Sequence, residues 1–407
     1  HTKYEQKLYA SSNLTITEES TQGHYTISKP DETQTYADVL ANINKRFNDF
    51  SLVANVGASI VNNRYEDLSY RGPIREKGIP NVFNVFDLDN TKKKARQDEW
   101  QEQTQSVFAS VEVGWKSMLY LTLTGRNDWA SQLANSSTPC FFYPSVGLSG
   151  VISEMLTLPE FIDYMKVRGS FSSVGMPYPR NLTSPTYEYD EANQQWKPKT
   201  HYPIKDLKPE RTNSWELGLD MRLFKDFSLG FSWYLANTFN QTFDPKVSVS
   251  SGYSKIYLQT GYVRNSGVEL SLGYGHTWNN HLHWESNFTL SHNKNTIKDL
   301  VTSYIHPETG LPITQNRLDV GGLGKARFIL KKGGTLGDLY TQSDLKRDNS
   351  GMVEIDPSGA LTTEDNLPDI KLGSVFPKAN LAWNNRFEWR GISLSAVSYT
   401  HLRAHET

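Results

Sequence analysis

The chain has 407 residues, a formal net charge of −2 and a mean hydropathy of −0.56. This balance gives no electrostatic footprint for nucleic acid, and a single cysteine, Cys140, excludes an internal disulfide framework and a cysteine-based zinc site. No run approaches the roughly 18 apolar residues that a membrane helix needs.

Short alternating segments recur along the chain where helical patterns are nearly absent. A low mean hydropathy does not contradict a membrane barrel, because only alternate strand residues face lipid and the loops are polar. Aromatic residues make up 12% of the sequence, as expected if many strand ends anchor in membrane interfaces. Composition alone also fits a large secreted β-sandwich.

The first alternating segments form pairs joined by short turns. In chain order the apolar positions are Ala37, Val39, Ala41 and Ile43, then, after the turn Asn48–Asp49, Leu52, Ala54, Val56, Ala58 and Ile60. Val107, Ala109, Val111, Val113 and Trp115 then lead through Lys116–Ser117 to Leu119, Leu121 and Leu123. Successive strand side chains point to opposite faces, so each segment predicts a strand with one apolar face.

The clearest hairpin lies in the middle of the chain. Trp215, Leu217, Leu219, Met221 and Leu223 alternate with polar residues, the turn Lys225–Asp226 follows, and Phe227, Leu229, Phe231, Trp233 and Leu235 repeat the pattern. Similar pairs are Val268 to Tyr274 with Leu282 to Leu290, and Leu381 to Trp389 with Ile392 and Leu394. Between 294 and 377 the pattern weakens, and strands are predicted over 325–332 and 337–346.

Connection lengths alternate in the same way as the strands. Hairpin turns are short, whereas the polar connections 62–103, 176–211 and 240–257 are long, and 154–163 predicts a short helical turn. Outer-membrane barrels have short periplasmic turns and long extracellular loops. The sequence therefore predicts an all-β fold, an incomplete antiparallel transmembrane β-barrel of about 14–16 strands.

Several segments resemble one family, the SusC-like or RagA-like TonB-dependent transporters of Bacteroidetes. The matching segments are Leu121-Thr-Leu-Thr-Gly-Arg-Asn-Asp-Trp-Ala-Ser131, Phe141-Phe-Tyr-Pro-Ser-Val-Gly-Leu-Ser-Gly-Val151, Lys166-Val-Arg-Gly-Ser170, Leu207-Lys-Pro-Glu-Arg-Thr212 with Glu216-Leu-Gly-Leu219, Asn265-Ser-Gly-Val-Glu-Leu270 and Leu372-Gly-Ser-Val-Phe-Pro-Lys378. They occur in the family's order and span most of the chain.

The resemblance implies a barrel of 22 strands in the bacterial outer membrane, filled by a plug domain and capped by a SusD-like lipoprotein. It implies import of oligosaccharides or peptides, energised by the TonB–ExbB–ExbD complex through the plug, with no enzymatic activity and no cofactor. On this reading residues 1–396 are a partial barrel domain without plug, signal peptide or first strands. Residues 397–407 lose the alternation and are interpreted as a non-native tail.

No catalytic set is apparent, and the histidines are scattered. His281 and His283 lie near Glu285 on a predicted strand, a set that could ligate a metal, but a polar row facing the lumen explains it equally well and no metal site is predicted. The acidic stretch 338–369 is interpreted as polar turns, since the spacing of a calcium loop is absent.

The candidate ligand-contacting residues are aromatic and lie in the connection 176–211: Tyr178, Tyr187, Tyr189, Trp196 and Tyr202. Aromatic rings pack against sugar faces, and loops frequently carry binding residues. The alternative is that these rings pack the loop on itself or against a lipoprotein. Trp129, Phe142, Tyr143 and Trp215 are assigned to an interfacial girdle.

The predicted function is thus the barrel of a TonB-dependent importer. A TonB-dependent siderophore or vitamin receptor and a passive porin are alternatives in the same class. A secreted β-sandwich adhesin is the alternative from a different class.

Overall fold

The computed structural model describes residues 3–10, 22–180, 182, 187–190, 195–198, 201–202, 208–243, 255–256, 258–278, 281–305 and 312–402. Regular structure in these residues is almost entirely β-strand. The exceptions are one helical turn, α1 (Ile152–Met155), and two 3-10 turns at Val85–Asp87 and Ser131–Leu133. No helix in the described ranges is long and apolar enough to cross a membrane.

The strands are β1 Tyr4–Tyr9, β2 Gly23–Phe47, β3 Phe50–Pro73, β4 Lys94–Trp115, β5 Leu119–Ala130, β6 Cys140–Val151, β7 Ile162–Met176, β8 Tyr187–Asp190, β9 Gln195–Pro198, β10 His201–Tyr202, β11 Glu210–Leu223 and β12 Phe227–Phe243. They continue with β13 Lys255–Ile256, β14 Leu258–Trp278, β15 Leu282–Asp299, β16 Val301–Ile305, β17 Pro312–Gln315, β18 Arg317–Leu323, β19 Ala326–Lys331, β20 Asp338–Leu345, β21 Thr363–Ser374, β22 Ala379–Trp389 and β23 Ile392–Leu402.

One antiparallel sheet of 13 strands dominates the described residues, in the order β1-β2-β3-β4-β5-β6-β7-β11-β12-β14-β15-β22-β23. The all-β prediction is confirmed. The expected 14–16 strands come down to 13 because the two segments predicted between 294 and 377 are strands of a different sheet. These segments, β19 and β20, pair with β18 and β21 in a four-stranded sheet.

The chain divides into two compact units. The first comprises residues 1–40, 57–107 and 128–132, and its buried side chains include Tyr25, Ile74 and Leu88. Within this unit the Ile74 amide donates to the Gly23 carbonyl at 2.8 Å. The predicted connection 62–103 is too long, because β3 continues to Pro73 and β4 already begins at Lys94.

The second unit comprises residues 41–56, 108–127 and 133–407, and its strands align their apolar positions in register. One row runs through six strands, from β7 to β22: Val167, Leu219, Phe231, Leu270, Leu290 and Leu381. On β23 the same row meets Thr400, and the next row meets Ser398 opposite Trp383. The polar residues between these positions share the other face of the sheet.

The short turns of this unit adopt left-handed backbone conformations. Lys116 and Ser117 have φ of 50° and 58°, and Phe224 and Lys225 have φ of 51° and 63°. Positive φ at both central residues matches the right-handed twist of the strands that a two-residue turn joins. The turn predicted at Lys225–Asp226 is present and includes one residue more, since the connection between Leu223 and Phe227 spans 224–226. The helical turn predicted over 154–163 is found as α1, which begins two residues earlier, at Ile152, and ends at Met155.

Aromatic rings form a continuous chain of contacts at the short-turn end. In order the rings are Phe161, Phe224, Phe227, Tyr274, Trp284 and Phe387, with neighbouring centroids 4.8–6.5 Å apart. Trp215 on β11 precedes Phe224 by about nine residues, or roughly 30 Å of strand, which a tilt of about 40° reduces to roughly 23 Å of membrane depth. That height matches the apolar band of an outer-membrane barrel.

Candidate functional site

The polar face of the sheet carries an ion-paired arginine that joins three strands. Arg168 on β7 donates to Asp220 at 2.8 Å and to Glu216 at 3.3 Å, both on β11. The same guanidinium donates to Ser232 on β12 at 2.7 Å. Charged hydrogen bonds of this kind orient side chains more firmly than neutral ones.

Glycine makes this crossing geometrically feasible. Gly218 lies in register between Arg168 and Ser232, and a Cβ built on it would stand 2.5 Å from the Arg168 Nε. The arrangement recurs where Tyr234 on β12 crosses Gly267 on β14 and donates to Asn293 on β15 at 3.2 Å. In both places a long side chain reaches the second neighbouring strand because the first presents no side chain.

A cavity of about 500 Å³ lies beside this network, on the same face. Its lining includes the carboxylates Asp220 and Glu269 and a group of small hydroxyl-bearing residues, Ser232, Ser271, Thr289 and Ser291. Glu269 faces Ser232 on one side and Ser291 on the other. The cavity is therefore an acidic, hydrogen-bonding surface suited to a polar solute or to a polar protein segment.

The four-stranded sheet of β18–β21 is attached to β14 and β15, two strands of the 13-stranded sheet. Val263, Ile297, Leu300 and Leu330 form a buried cluster, against which Leu318 and Leu336 pack. The Ile297 amide donates to the Gly334 carbonyl at 2.8 Å, and the Gly333 amide donates to the Ile297 carbonyl at 2.7 Å. Two backbone hydrogen bonds and apolar packing together attach this sheet to β14 and β15.

Two buried carboxylates hold the four-stranded sheet together. Asp369, whose side chain is 6% exposed, accepts from Arg317 at 2.8 and 2.9 Å and pairs with Lys331 at 2.6 Å. Arg317 above all, with Lys331, keeps the pKa of Asp369 well below its usual range despite burial. Asp338 is fully buried, and burial tends to raise its pKa, but hydrogen bonds from Thr335 and the Lys371 ammonium lower it overall.

Between β20 and β21 the chain contains an eight-residue repeat. Asp348 accepts from the Ser350 amide at 2.8 Å, the Ser350 hydroxyl at 2.6 Å and the Met352 amide at 2.9 Å. Asp356 accepts from Ser358 and Ala360 with the same three distances. The interpretation of this acidic stretch as polar turns describes Asp348 and Asp356, whereas Asp338 and Asp369 are structural ion-pair centres.

The backbone of this repeat closes on itself. Glu354 donates to the Lys346 carbonyl at 2.9 Å, Thr362 donates to the Glu354 carbonyl at 3.1 Å, and Lys346 donates to the Thr362 carbonyl at 3.0 Å. A Lys346–Glu354 ion pair of 2.7 Å spans the first unit. The recurrence of Asp, Ser and Gly at Asp348-Asn-Ser-Gly351 and Asp356-Pro-Ser-Gly359 is the sequence signal that reveals it.

The predicted ligand-contacting aromatics are only partly described. Tyr178 is buried, 3% exposed, and its hydroxyl has no hydrogen-bond partner among the described residues. Tyr189 on β8 lies opposite Trp196 on β9, and the Trp196 side chain is 68% exposed. The side chains of Tyr187, Tyr189 and Tyr202 lie outside the described residues. Contact between these five aromatics and a solute stays a prediction.

The histidine positions considered for a metal carry other contacts. His283 hydrogen-bonds the Thr277 hydroxyl at 2.9 Å, and Glu285 accepts from Asn287 at 3.0 Å. Within the described ranges no group of three or more His, Cys, Asp or Glu residues could hold a metal ion.

A wall with one apolar and one polar face, bounded by aromatic rings and joined by short turns at one end, defines an outer-membrane β-barrel protein. The family model described as "TonB dependent receptor-like, beta-barrel" matches residues 2–341. The chain belongs to that family. It carries β-barrel sequence of a TonB-dependent outer-membrane receptor, and the long-loop end of the sheet is its extracellular end.

Two relatives from Formosa agariphila support this assignment. "TonB-dependent receptor P39" is 23% identical over 339 residues, which cover 79% of this chain and 30% of that protein. "TonB-dependent receptor P26" is 26% identical over 226 residues, covering 53% of this chain and 23% of that protein. The chain thus spans less than a third of the curated relatives it matches.

Solved structures share the fold. "Structure of the RagAB peptide transporter" matches with a TM-score of 0.74 and 15% identity over 98% of this chain and 43% of the matched chain. "Structure of the RagAB peptide importer in the 'closed-closed' state" matches with a TM-score of 0.71 and 16% identity, covering 93% of this chain and 42% of that one. The RagA-like resemblance is confirmed at the level of the fold, and the β-sandwich and passive-porin alternatives are removed by the family.

Proposed function

We propose that the complete receptor imports oligosaccharides or oligopeptides across the outer membrane. A SusD-like lipoprotein would cap its extracellular end, and the TonB–ExbB–ExbD complex would supply energy through a plug domain. The observation that carries this proposal is the two-faced wall. One face presents apolar rows to lipid, and the other presents Arg168, Glu269 and a row of hydroxyls to the solute path.

The polar face favours solutes that hydrogen-bond. Serine and threonine hydroxyls with carboxylates donate to and accept from sugar hydroxyls and peptide amides alike. The fold match to a structure titled as a peptide transporter supports the peptide arm of the proposal. A siderophore or vitamin receptor, which belongs to the same family, is the second candidate.

Uptake in the source bacterium tests the proposal. Cells lacking the gene, and the same cells complemented with it, would be given labelled oligopeptides, labelled oligosaccharides and an iron-loaded siderophore. We expect peptide or oligosaccharide uptake to fall to background in the deletion strain and in complemented cells treated with a protonophore. A defect confined to the siderophore would overturn the proposal in favour of the second candidate.

The lipoprotein partner requires a separate measurement. The affinity-tagged full-length receptor would be purified from native outer membranes in mild detergent, and co-purifying proteins would be identified by mass spectrometry. We expect one surface lipoprotein in a fixed ratio to the receptor. A receptor that purifies without any lipoprotein would contradict this part of the proposal.

A further inference from the structure

A second cavity of about 300 Å³ lies at the extracellular end of β6, β7, β11 and β12. Its lining residues are Thr138, Cys140, Phe141, Phe142, Gly175, Lys208, Pro209, Glu210, Arg211 and Asn240. Glu210 is the first residue of β11 and lies five positions nearer the extracellular end than Trp215. The cavity therefore lies on the extracellular side of the apolar band.

The walls of this cavity are built to a fixed shape. Phe141 is 8% exposed, and its ring occupies the space that a Cβ on Gly175 would need. The Arg211 guanidinium donates to the Phe142 carbonyl at 2.8 Å, and the Asn240 amide donates to the Pro209 carbonyl at 3.3 Å. These contacts hold the two phenylalanines and the start of β11 in place.

Glu210 is the acidic group in the lining. Its carboxylate makes no hydrogen bond or ion pair with any described residue, while the neighbouring Arg211 guanidinium is engaged with the Phe142 carbonyl. Burial raises the pKa of the Glu210 carboxyl, and neither Lys208 nor Arg211 offsets that rise. A partly buried carboxylate without a partner is costly, and an incoming cation would remove that cost.

We propose that this cavity is a subsite for an ammonium group, the α-amino group or lysine side chain of an oligopeptide, which pairs with Glu210 beside the Phe141 ring. Neutral sugar hydroxyls would hydrogen-bond the carboxylate but leave its charge uncompensated, whereas an ammonium neutralises it and is attracted to aromatic faces. This inference rests on the proposed import function and selects its peptide arm.

Cys140 supplies a readout inside the cavity, because its half-buried thiol is part of the lining. The full-length receptor in native outer membranes would be treated with iodoacetamide, and alkylation of the peptide that contains Cys140 would be followed by mass spectrometry. The probes are acetylated and amidated tripeptides with a central Lys, Gln or Glu, together with maltotriose. The Cys140→Ser receptor identifies the signal.

We expect a saturating lysine tripeptide to slow Cys140 alkylation at least fivefold, and the other three probes to leave the rate unchanged. Glu210→Gln should abolish the protection, while Glu210→Asp, which keeps the charge, should retain part of it. Glu160→Gln is the matched control, since it removes one exposed carboxylate at the short-turn end. In this variant the lysine tripeptide should protect Cys140 as well as it does in the parent. The gel shift of unheated receptor shows that each variant is folded.

Three results would overturn the subsite. They are no protection by the lysine tripeptide, equal protection by the Gln tripeptide or maltotriose, and full protection in Glu210→Gln. Failure of the proposed import function is a different result: the deletion strain would take up labelled peptides and oligosaccharides as well as the parent does. Peptide uptake with an unprotected Cys140 would therefore reject the subsite alone.

Discussion

Arg168 lies across Gly218, so that its guanidinium occupies the space a side chain on Gly218 would fill and reaches Ser232 on the next strand. Glycine in a strand interior ordinarily weakens the strand. Here the missing side chain is what allows one cation to join β7, β11 and β12. Glycine is therefore required at position 218 by the Arg168 side chain, and not by a turn.

Gly218→Ala should destabilise the receptor. The added Cβ displaces Arg168 from Asp220, Glu216 and Ser232, and because the arginine is 37% exposed we expect a loss of about 1–2 kcal/mol. The measurement is the temperature at which full-length receptor in detergent loses its gel shift. Gly275→Ala is the control, since a Cβ there meets no atom within 4 Å. Equal shifts for both variants would reject the crossing as a stabilising contact.

Trp284→Ala should weaken the short-turn end of the wall. The Trp284 ring is stacked on Phe387 with centroids 5.7 Å apart and meets Tyr274 edge-on at 5.2 Å. Losing these contacts and the interfacial anchor should cost about 2 kcal/mol, read from urea unfolding in lipid vesicles. Phe86→Ala, at a side chain that is 91% exposed, should change stability by less than about 0.5 kcal/mol. An unaltered unfolding midpoint for Trp284→Ala would contradict the prediction.

Asp369→Asn should loosen the extracellular sheet. Removing the carboxylate leaves Arg317 and Lys331 facing each other without a counter-charge, and their partial exposure limits the cost to about 2 kcal/mol. Hydrogen exchange of the β18, β19 and β21 amides should accelerate roughly 30-fold. Asp344→Asn, an exposed position on β20, should leave exchange unchanged.

The same carboxylate gives the sheet a defined response to acid. Because the pKa of Asp369 is lowered in the folded protein, its contribution is complete above the unfolded pKa of about 3.9 and is lost as pH falls through the folded pKa. Exchange in β18 and β19 should therefore rise below about pH 4 in the parent and rise less steeply in Asp369→Asn, where only the contribution of Asp338 remains. A parallel rise in both would assign the acid response to other groups.

The chain by itself should not form a heat-modifiable barrel in detergent. The described sheet has β1 and β23 as its two edges, and unpaired backbone groups in an apolar phase cost several kcal/mol each. Refolding would be followed by gel shift, with a complete outer-membrane receptor as the positive control. A resistant, faster-migrating band from the chain alone would contradict the expectation.

Alternation in the sequence predicted the membrane-facing wall, since each apolar position of the Trp215–Leu223 strand lies on one face, as expected. It missed the long-loop ends of β2, β3 and β4. Charged residues such as Arg64, Glu66 and Arg96 lie there, so these segments have no apolar face by which alternation could identify a strand. Alternation also could not predict that Arg168 pairs with Glu216 and Asp220, because the sequence of one strand does not determine its register with the next.

The tail interpretation stays a prediction with one structural observation beside it. β23 pairs with β22 up to Leu402, yet Ser398 and Thr400 stand where the apolar rows of six strands would continue. A strand can satisfy its backbone hydrogen bonds whatever its side chains are, so pairing alone does not make a segment part of a lipid-facing wall.

The attachment of the four-stranded sheet to Ile297 has a mechanical consequence. Two backbone hydrogen bonds and a buried apolar cluster join this sheet to β14 and β15. A force exerted on that sheet is passed to β15 at Ile297, through these two hydrogen bonds and the packed side chains around them. A force applied to the four-stranded sheet therefore reaches the transmembrane strands β14 and β15 directly.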